Sequence, residues 1–92
     1  MLRFETTASF RRDYKRVKKR GWDISLLGEV IDLLLSQKPL PPRLHDHPLS
    51  GDYEGYRECH IRPDWLIIYR IEYNRLILVG HRTGTHSDLF DE

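Results

Sequence analysis

Hydrophobic positions along the chain change their spacing twice, and each change marks an element. Leu2 and Phe4 flank the polar Arg3, the alternation of a short strand. Phe10, Tyr14 and Val17 then recur three and four residues apart, one face of a helix whose other positions are mostly Lys and Arg. Thr6 or Thr7 can cap its first turn through a hydroxyl, and Gly21 stands where such a helix ends. Asp23 caps a second helix, in which Leu26, Leu27, Val30, Ile31, Leu34 and Leu35 form a broad apolar stripe. A tight turn joins the two, so they predict an antiparallel hairpin whose stripe must cover something.

Residues 38–51 read as a loop, because Pro39, Pro41, Pro42 and Pro48 exclude a regular helix or a central strand. Three strands follow. Residues 56–61 alternate, while residues 65–69 and 76–79 are nearly continuous apolar runs. The connections at Arg62-Pro63 and at residues 72–75 are short enough to force antiparallel pairing. The predicted order is β-α-α-β-β-β: an α+β fold, with an antiparallel sheet and an N-terminal helical hairpin packed on one of its faces.

Ninety-two residues make a single domain, 1–92, with no room for a second core. Cys59 is alone, so there is no internal disulfide and a Cys-based structural zinc site is excluded. With no signal-like leader and no apolar run near twenty residues, the chain reads as cytoplasmic, without a membrane partner. A net charge of +1 conceals a gradient. Residues 1–20 carry eight Lys and Arg against Glu5 and Asp13, whereas the remaining residues carry seven bases and twelve acids. That asymmetry points to a polyanionic or acidic partner on the first helix; the plain alternative is a solvated helix face.

Proton-transfer groups concentrate in the second half of the chain. His47, His60, Asp64 and His86 accompany Arg82, whose guanidinium offers a fixed fork of donors to phosphate. RNA carries its own nucleophile, the 2′-hydroxyl, so its cleavage needs three things and no metal. One group takes the 2′-OH proton, a cation stabilises charge on the phosphoryl oxygens, and an acid protonates the departing 5′-oxygen. Each residue also has an ordinary reading: His47 as a loop histidine, His60 as a half-buried strand histidine, and Asp64 as a turn-closing aspartate. Arg82 suits a surface ion pair with Asp88 or Glu58, and His86 a one-turn cap begun by Thr85. In a three-strand meander the third strand is expected to end on the side where the first begins, opposite the start of the second. Convergence of Arg82 with Asp64 then depends on register, which the sequence does not fix. A zinc site from His45, Asp46, His47 and His60 is the competing reading; its i,i+2 histidines lie in a Pro-rich loop, so no metal or other cofactor is expected. Trp65, Tyr56 and Phe90 are candidates for stacking on unpaired bases.

The block His47-Pro48-Leu49-Ser50-Gly51, the block Tyr56-Arg57-Glu58-Cys59-His60-Ile61-Arg62-Pro63-Asp64-Trp65 running on to Tyr69, and the block Arg82-Thr83-Gly84-Thr85-His86-Ser87-Asp88-Leu89-Phe90 occur in that order. Together they resemble the YafQ-type toxins of the RelE/ParE superfamily, and the match runs nearly end to end. The resemblance implies a type II toxin that cuts mRNA in the ribosomal A site. It implies neutralisation by a cognate antitoxin, the free toxin a monomer and the neutralised form a hetero-oligomer. It also places functional positions on His47, His60, Asp64, Arg82, His86 and Phe90. Arg82 then holds the scissile phosphate, His86 is the general acid, and Asp64 acts with His47 or His60 on the base side. Thr85 stands where a serine is common, which keeps the hydroxyl. The same resemblance gives the basic first helix, with Arg11, Lys15, Lys18 and Lys19, a purpose in docking on ribosomal RNA. A reading from another class is a ParE-like toxin that inhibits a DNA topoisomerase without cleaving anything. The set of three histidines and an aspartate argues against it, since a binding module does not need them.

Overall fold

The computed structural model describes residues 1–90. Strand β1 (Arg3–Thr6) leads into helices α1 (Ala8–Lys19) and α2 (Ile24–Ser36), followed by β2 (His47–Pro48), β3 (Arg57–Arg62), β4 (Trp65–Glu72), β5 (Ile77–Gly84) and α3 (His86–Phe90). The helix ends are set locally. Thr7 Oγ1 accepts from the Phe10 amide at 3.0 Å, and Asp23 Oδ1 accepts from the Ser25 amide at 3.1 Å. Gly21, at φ +81°, supplies the left-handed turn that reverses the chain between the helices.

The five strands lie in the order β1-β5-β4-β3-β2. β1 runs parallel to β5, as a strand returning through a helical crossover should, and the other pairs are antiparallel. The helical hairpin covers one face. Phe10, Val17, Leu27, Val30 and Leu34 pack there on Cys59, Ile61, Trp65, Ile67, Tyr69 and Leu78. The opposite face is covered by α3 and by the segment between β2 and β3, with Leu89, Leu49, Tyr53, Tyr56 and Phe90 over Leu66 and Ile68. Both faces of β4 are therefore buried, which accounts for its continuous apolar run. No helix among the described residues is long and apolar enough to cross a membrane.

Three expectations change. Residues 38–51 are not all loop: they hold 3₁₀ turns at Pro42–Leu44 and Gly51–Tyr53, and His47–Pro48 pairs with Glu58 and Arg57 as an edge strand. Pro48 is compatible with that place because an edge strand needs no donor on its outer side. β5 runs on past the apolar run to Gly84, so His81 and Arg82 are strand residues. The third strand of the meander also ends where the first ends, not where it begins. Two reversals restore the original direction, and Gly84 accordingly lies opposite Leu66 at the start of β4.

Candidate active site

Register brings the candidate residues into one rank. Cross-strand partners share a face of the sheet, and His47 pairs with Glu58, Glu58 with Ile68, and Ile68 with Arg82. The rank thus crosses β2, β3, β4 and β5. One rank further along, His60 lies opposite Leu66 and Leu66 opposite Gly84. Arg82 reaches its place through an irregularity. Tyr69 faces Gly80 while Ile68 faces Arg82, so β5 carries one extra residue, His81. A regular ladder would have set His81 against Ile68; the bulge advances Arg82 into that position.

The face that carries this rank is the one roofed by α3. His86, at the start of that helix, takes Asp64 from the β3–β4 turn. Its Nδ1 lies 2.8 Å from Asp64 Oδ1, and its backbone amide donates to the same oxygen at 3.1 Å. These bonds hold the Asp64 carboxyl below the usual carboxylate range. Asp64 was expected to serve with His47 or His60; it is instead bound to His86. The two strand histidines share another carboxylate. Glu58, 5% exposed, has Oε2 at 3.1 Å from His47 Nε2 and 3.4 Å from His60 Nε2. The His60 and His86 ring centres are 5.6 Å apart, so the two histidine–carboxylate couples adjoin. Phe90, half-buried, packs on His86 at 6.1 Å and on Tyr53 at 5.5 Å.

Arg82 makes neither of the ion pairs expected from sequence. Its partner is Asp13 of α1, with Nε 2.6 Å from Oδ2 and Nη2 3.1 Å from Oδ1. Asp13 is 1% exposed. Asp88, the expected partner, instead binds Arg20 through both oxygens at 2.7 and 3.0 Å and receives the Thr85 amide at 3.0 Å. In return the Asp88 amide donates to Thr85 Oγ1 at 3.0 Å, the one-turn cap expected at Thr85. Asp88 consequently ties α3 to α1 and is held well below the usual carboxylate range. Gly84, at φ +152°, makes room for it, since a Cβ there would meet Asp88 Oδ2 at 2.9 Å.

Glu58 and Asp13 were the residues missed, and each had a signal. Asp13 lies three residues after Phe10 and four before Val17, an acid on the apolar face of its helix. Glu58 alternates with His60 and so shares its side of the strand.

Other candidates fall away from the cluster or change character. Trp65 is 1% exposed, with Nε1 donating to Thr83 Oγ1 at 3.0 Å, and cannot stack on a base. Tyr56 is half-buried with His81 tilted against it at 4.5 Å, and burial lowers the His81 pKa. Arg11, Lys15 and Lys18 line a shallow groove of 450 Å³ with Thr6, Phe10 and Tyr14. At 100° per residue that flank of α1 lies away from Asp13, whereas Arg16 and Arg20 face Asp88 at 3.5 and 2.7 Å. Lys19 is exposed on the outer side. Burial pushes the Cys59 thiol up to about 12, which removes it as a nucleophile at neutral pH.

The metal set proposed from sequence does not form. Asp46 accepts from Arg57 Nη2 at 2.8 Å and from the Tyr69 hydroxyl instead. A different trio does converge: Glu58, His60 and His86 each present one ligand atom, all within 4.8 Å of one another. One carboxylate oxygen and two imidazole nitrogens suit a borderline cation such as zinc or copper.

Residues 2–91 match the family described as the bacterial toxin of type II toxin–antitoxin systems, YafQ. The Escherichia coli K12 protein named mRNA interferase toxin YafQ is 39% identical over 87 residues, which cover 94% of this chain and 92% of that one. A metal-bound toxin from Helicobacter pylori superposes with a TM-score of 0.92 at 42% identity, covering 98% of this chain and all of the other. YafQ in the E. coli DinJ–YafQ complex gives 0.87 at 37% identity, over 98% of this chain and 99% of that one. The chain belongs to the YafQ family of bacterial type II toxins.

Proposed function

We propose that this protein is an endoribonuclease toxin that cuts mRNA in the ribosomal A site by turning the message's own 2′-hydroxyl against the adjoining phosphate. The observation that carries the reading is the pair of adjacent histidine–carboxylate couples, Glu58 with His47 and His60, and Asp64 with His86, on the face of the sheet that bears Arg82. A linkage lying between two such couples meets a base on one side and an acid on the other. The Glu58 couple takes the 2′-OH proton through His47 or His60. His86 delivers a proton to the departing 5′-oxygen, with Asp64 fixing its tautomer and ring orientation by accepting from Nδ1. Arg82 meets the charge that develops on the non-bridging oxygens. Each proton transfer contributes about 10²–10⁴-fold. Phe90, beside His86, offers a ring on which an unpaired base stacks.

A cation at Glu58, His60 and His86 would supply Lewis-acid polarisation of the phosphate, but it would occupy the imidazole lone pairs on which the proton transfers rely. The reaction is therefore assigned to the side chains alone.

The naming of the E. coli relative as an mRNA interferase and the DinJ–YafQ complex support two partners, a message and a cognate antitoxin. The exposed bases of α1, Arg11, Lys15, Lys18 and Lys19, dock the toxin on ribosomal RNA, and an acidic antitoxin competes for that field. This reading places the protein in the cytoplasm. Its test is induction of the chain in growing cells with mapping of transcript 5′ ends. Translation arrest with cuts inside reading frames, abolished by His86→Ala and Arg82→Ala in variants that remain folded, is the expected result. Variants as toxic as the parent would refute the site, and a DNA-damage response with intact transcripts would favour topoisomerase inhibition.

A further inference from the structure

We infer that Asp13 is the positioning residue of the site: its buried carboxylate fixes the orientation of Arg82 and so determines which guanidinium donors meet the phosphate. The inference rests on the reading of Arg82 as the phosphate ligand. Asp13 lies between Phe10 and Val17 on the inner face of α1, where those neighbours are 3% and 0% exposed. A carboxyl group buried there needs hydrogen-bond partners to offset the loss of water. Four donors surround it: Arg82 Nε at 2.6 Å, Arg82 Nη2 at 3.1 Å, the Thr83 amide at 3.2 Å and Arg16 Nη2 at 3.6 Å.

Why the carboxylate reaches this strand follows from topology. β1 stops at Thr6, opposite Gly80, so residues 81–84 of β5 have no neighbouring strand on that edge. Their backbone groups turn to the cap and inner face of α1 instead. Thr7 Oγ1 donates to the His81 carbonyl at 2.8 Å, and Asp13 accepts from the Thr83 amide. The group that closes the sheet edge thus also grips the side chain one residue earlier. Arg82 is 23% exposed, and Asp13 accepts from its Nε and Nη2 in a two-point fork. A two-point grip removes rotation about the last bonds of a long side chain, and the phosphate takes the donors that remain. Orientation is gained at the expense of field, because Asp13 offsets the charge that Arg82 brings.

These two effects have opposite signs on binding and on turnover, which gives the test. Asp13→Asn keeps the size of the side chain, loosens the grip on Arg82 and removes one negative charge from the site. Cleavage of a defined message, presented free and on ribosomes, would be followed under single-turnover and steady-state conditions. We expect kcat to fall about 10–100-fold, the range for a catalytic group displaced by about an ångström, with KM unchanged or lower. In the Arg82→Ala background the same substitution should cost nothing further. Equal losses in both backgrounds would make Asp13 a structural residue and overturn the proposal. So would a full rate in Asp13→Asn alongside a large loss in Arg82→Ala, which leaves the phosphate role standing. A full rate in Arg82→Ala would overturn that role and the clamp together. Should Asp13→Asn not fold, the Arg82 Nε–H resonance of the unaltered protein decides. Slow exchange with solvent at neutral pH supports the clamp, and exchange at the rate of a free arginine refutes it.

Discussion

Thr83 is fully buried where β5 passes the start of β4, and its hydroxyl is used twice. It accepts from Trp65 Nε1 at 3.0 Å and donates to the Leu66 carbonyl at 2.8 Å. Thr83→Val keeps the shape and removes both bonds. The indole N–H of Trp65, itself 1% exposed, then has no partner within reach. An orphaned buried donor costs about 1–3 kcal/mol, while the Leu66 carbonyl loses less because it lies in the β4–β5 ladder. The expected loss is about 2 kcal/mol, which for a domain of this size lowers Tm by roughly 8–16 °C. Thr83→Ser is the control. It retains the hydroxyl and loses one methyl, worth about 1 kcal/mol. Chemical denaturation followed by tryptophan emission measures both. The hydroxyl argument requires the valine variant to be the less stable of the two; the reverse order would refute it and assign the site's stability to methyl packing.

His86→Ala is expected to lower cleavage by about 10²–10⁴-fold with little change in Tm, as loss of one proton-transfer group should; a rate within threefold of the parent would contradict its assignment. Asp88 is held low by Arg20 and by the Thr85 amide, so its contribution to stability is full above the ordinary aspartate value and is lost as the pH falls through its folded value. Melting curves should accordingly steepen their decline below about pH 4, and Asp88→Asn should be less stable at pH 7 yet flatter with pH. Because Glu58, His60 and His86 converge within 4.8 Å, micromolar zinc should inhibit cleavage and a chelator should leave the rate unchanged or raise it; loss of activity on chelation would overturn the metal-free assignment. If α1 docks on RNA, replacing Arg11, Lys15 and Lys18 together by alanine should reduce the slope of log affinity against log salt by about 2–3, and an unchanged slope would remove that flank from the interface.

Most of the fold was legible because its signals are local. The Thr7 and Asp23 caps, Gly21 at the helix end and the period change between α2 and the strands each depend on a few neighbouring residues. The site was legible as a set of residue types and much less as an arrangement. Whether Arg82 faced the histidines turned on one extra residue, His81, and a slip of one position in a strand exchanges its faces. His47 entered the rank through a two-residue edge strand, too short for any periodicity to announce. The partners of Arg82 and of the strand histidines, Asp13 and Glu58, come from an element 69 residues away and from the adjacent strand position. Asp13 entered the sequence reading only as a count in the charge balance, yet it alone among the charges of α1 falls on the apolar stripe. Asp64 meets His86, not His47 or His60, because the β3–β4 turn delivers it to the start of α3, and that meeting depends on where the third strand ends.

The central claim is that the message supplies the nucleophile and the protein only moves protons and holds charge. A short message with a single 2′-deoxy nucleotide at the mapped cut, presented to the toxin both free and on ribosomes, tests it most directly. The all-ribose control should be cut to leave a cyclic or terminal phosphate on the 3′ side of the upstream fragment and a 5′-hydroxyl downstream, while the deoxy substrate stays whole. Cleavage of the deoxy substrate, or products bearing 5′-phosphates, would mean that water attacks instead and would contradict the account.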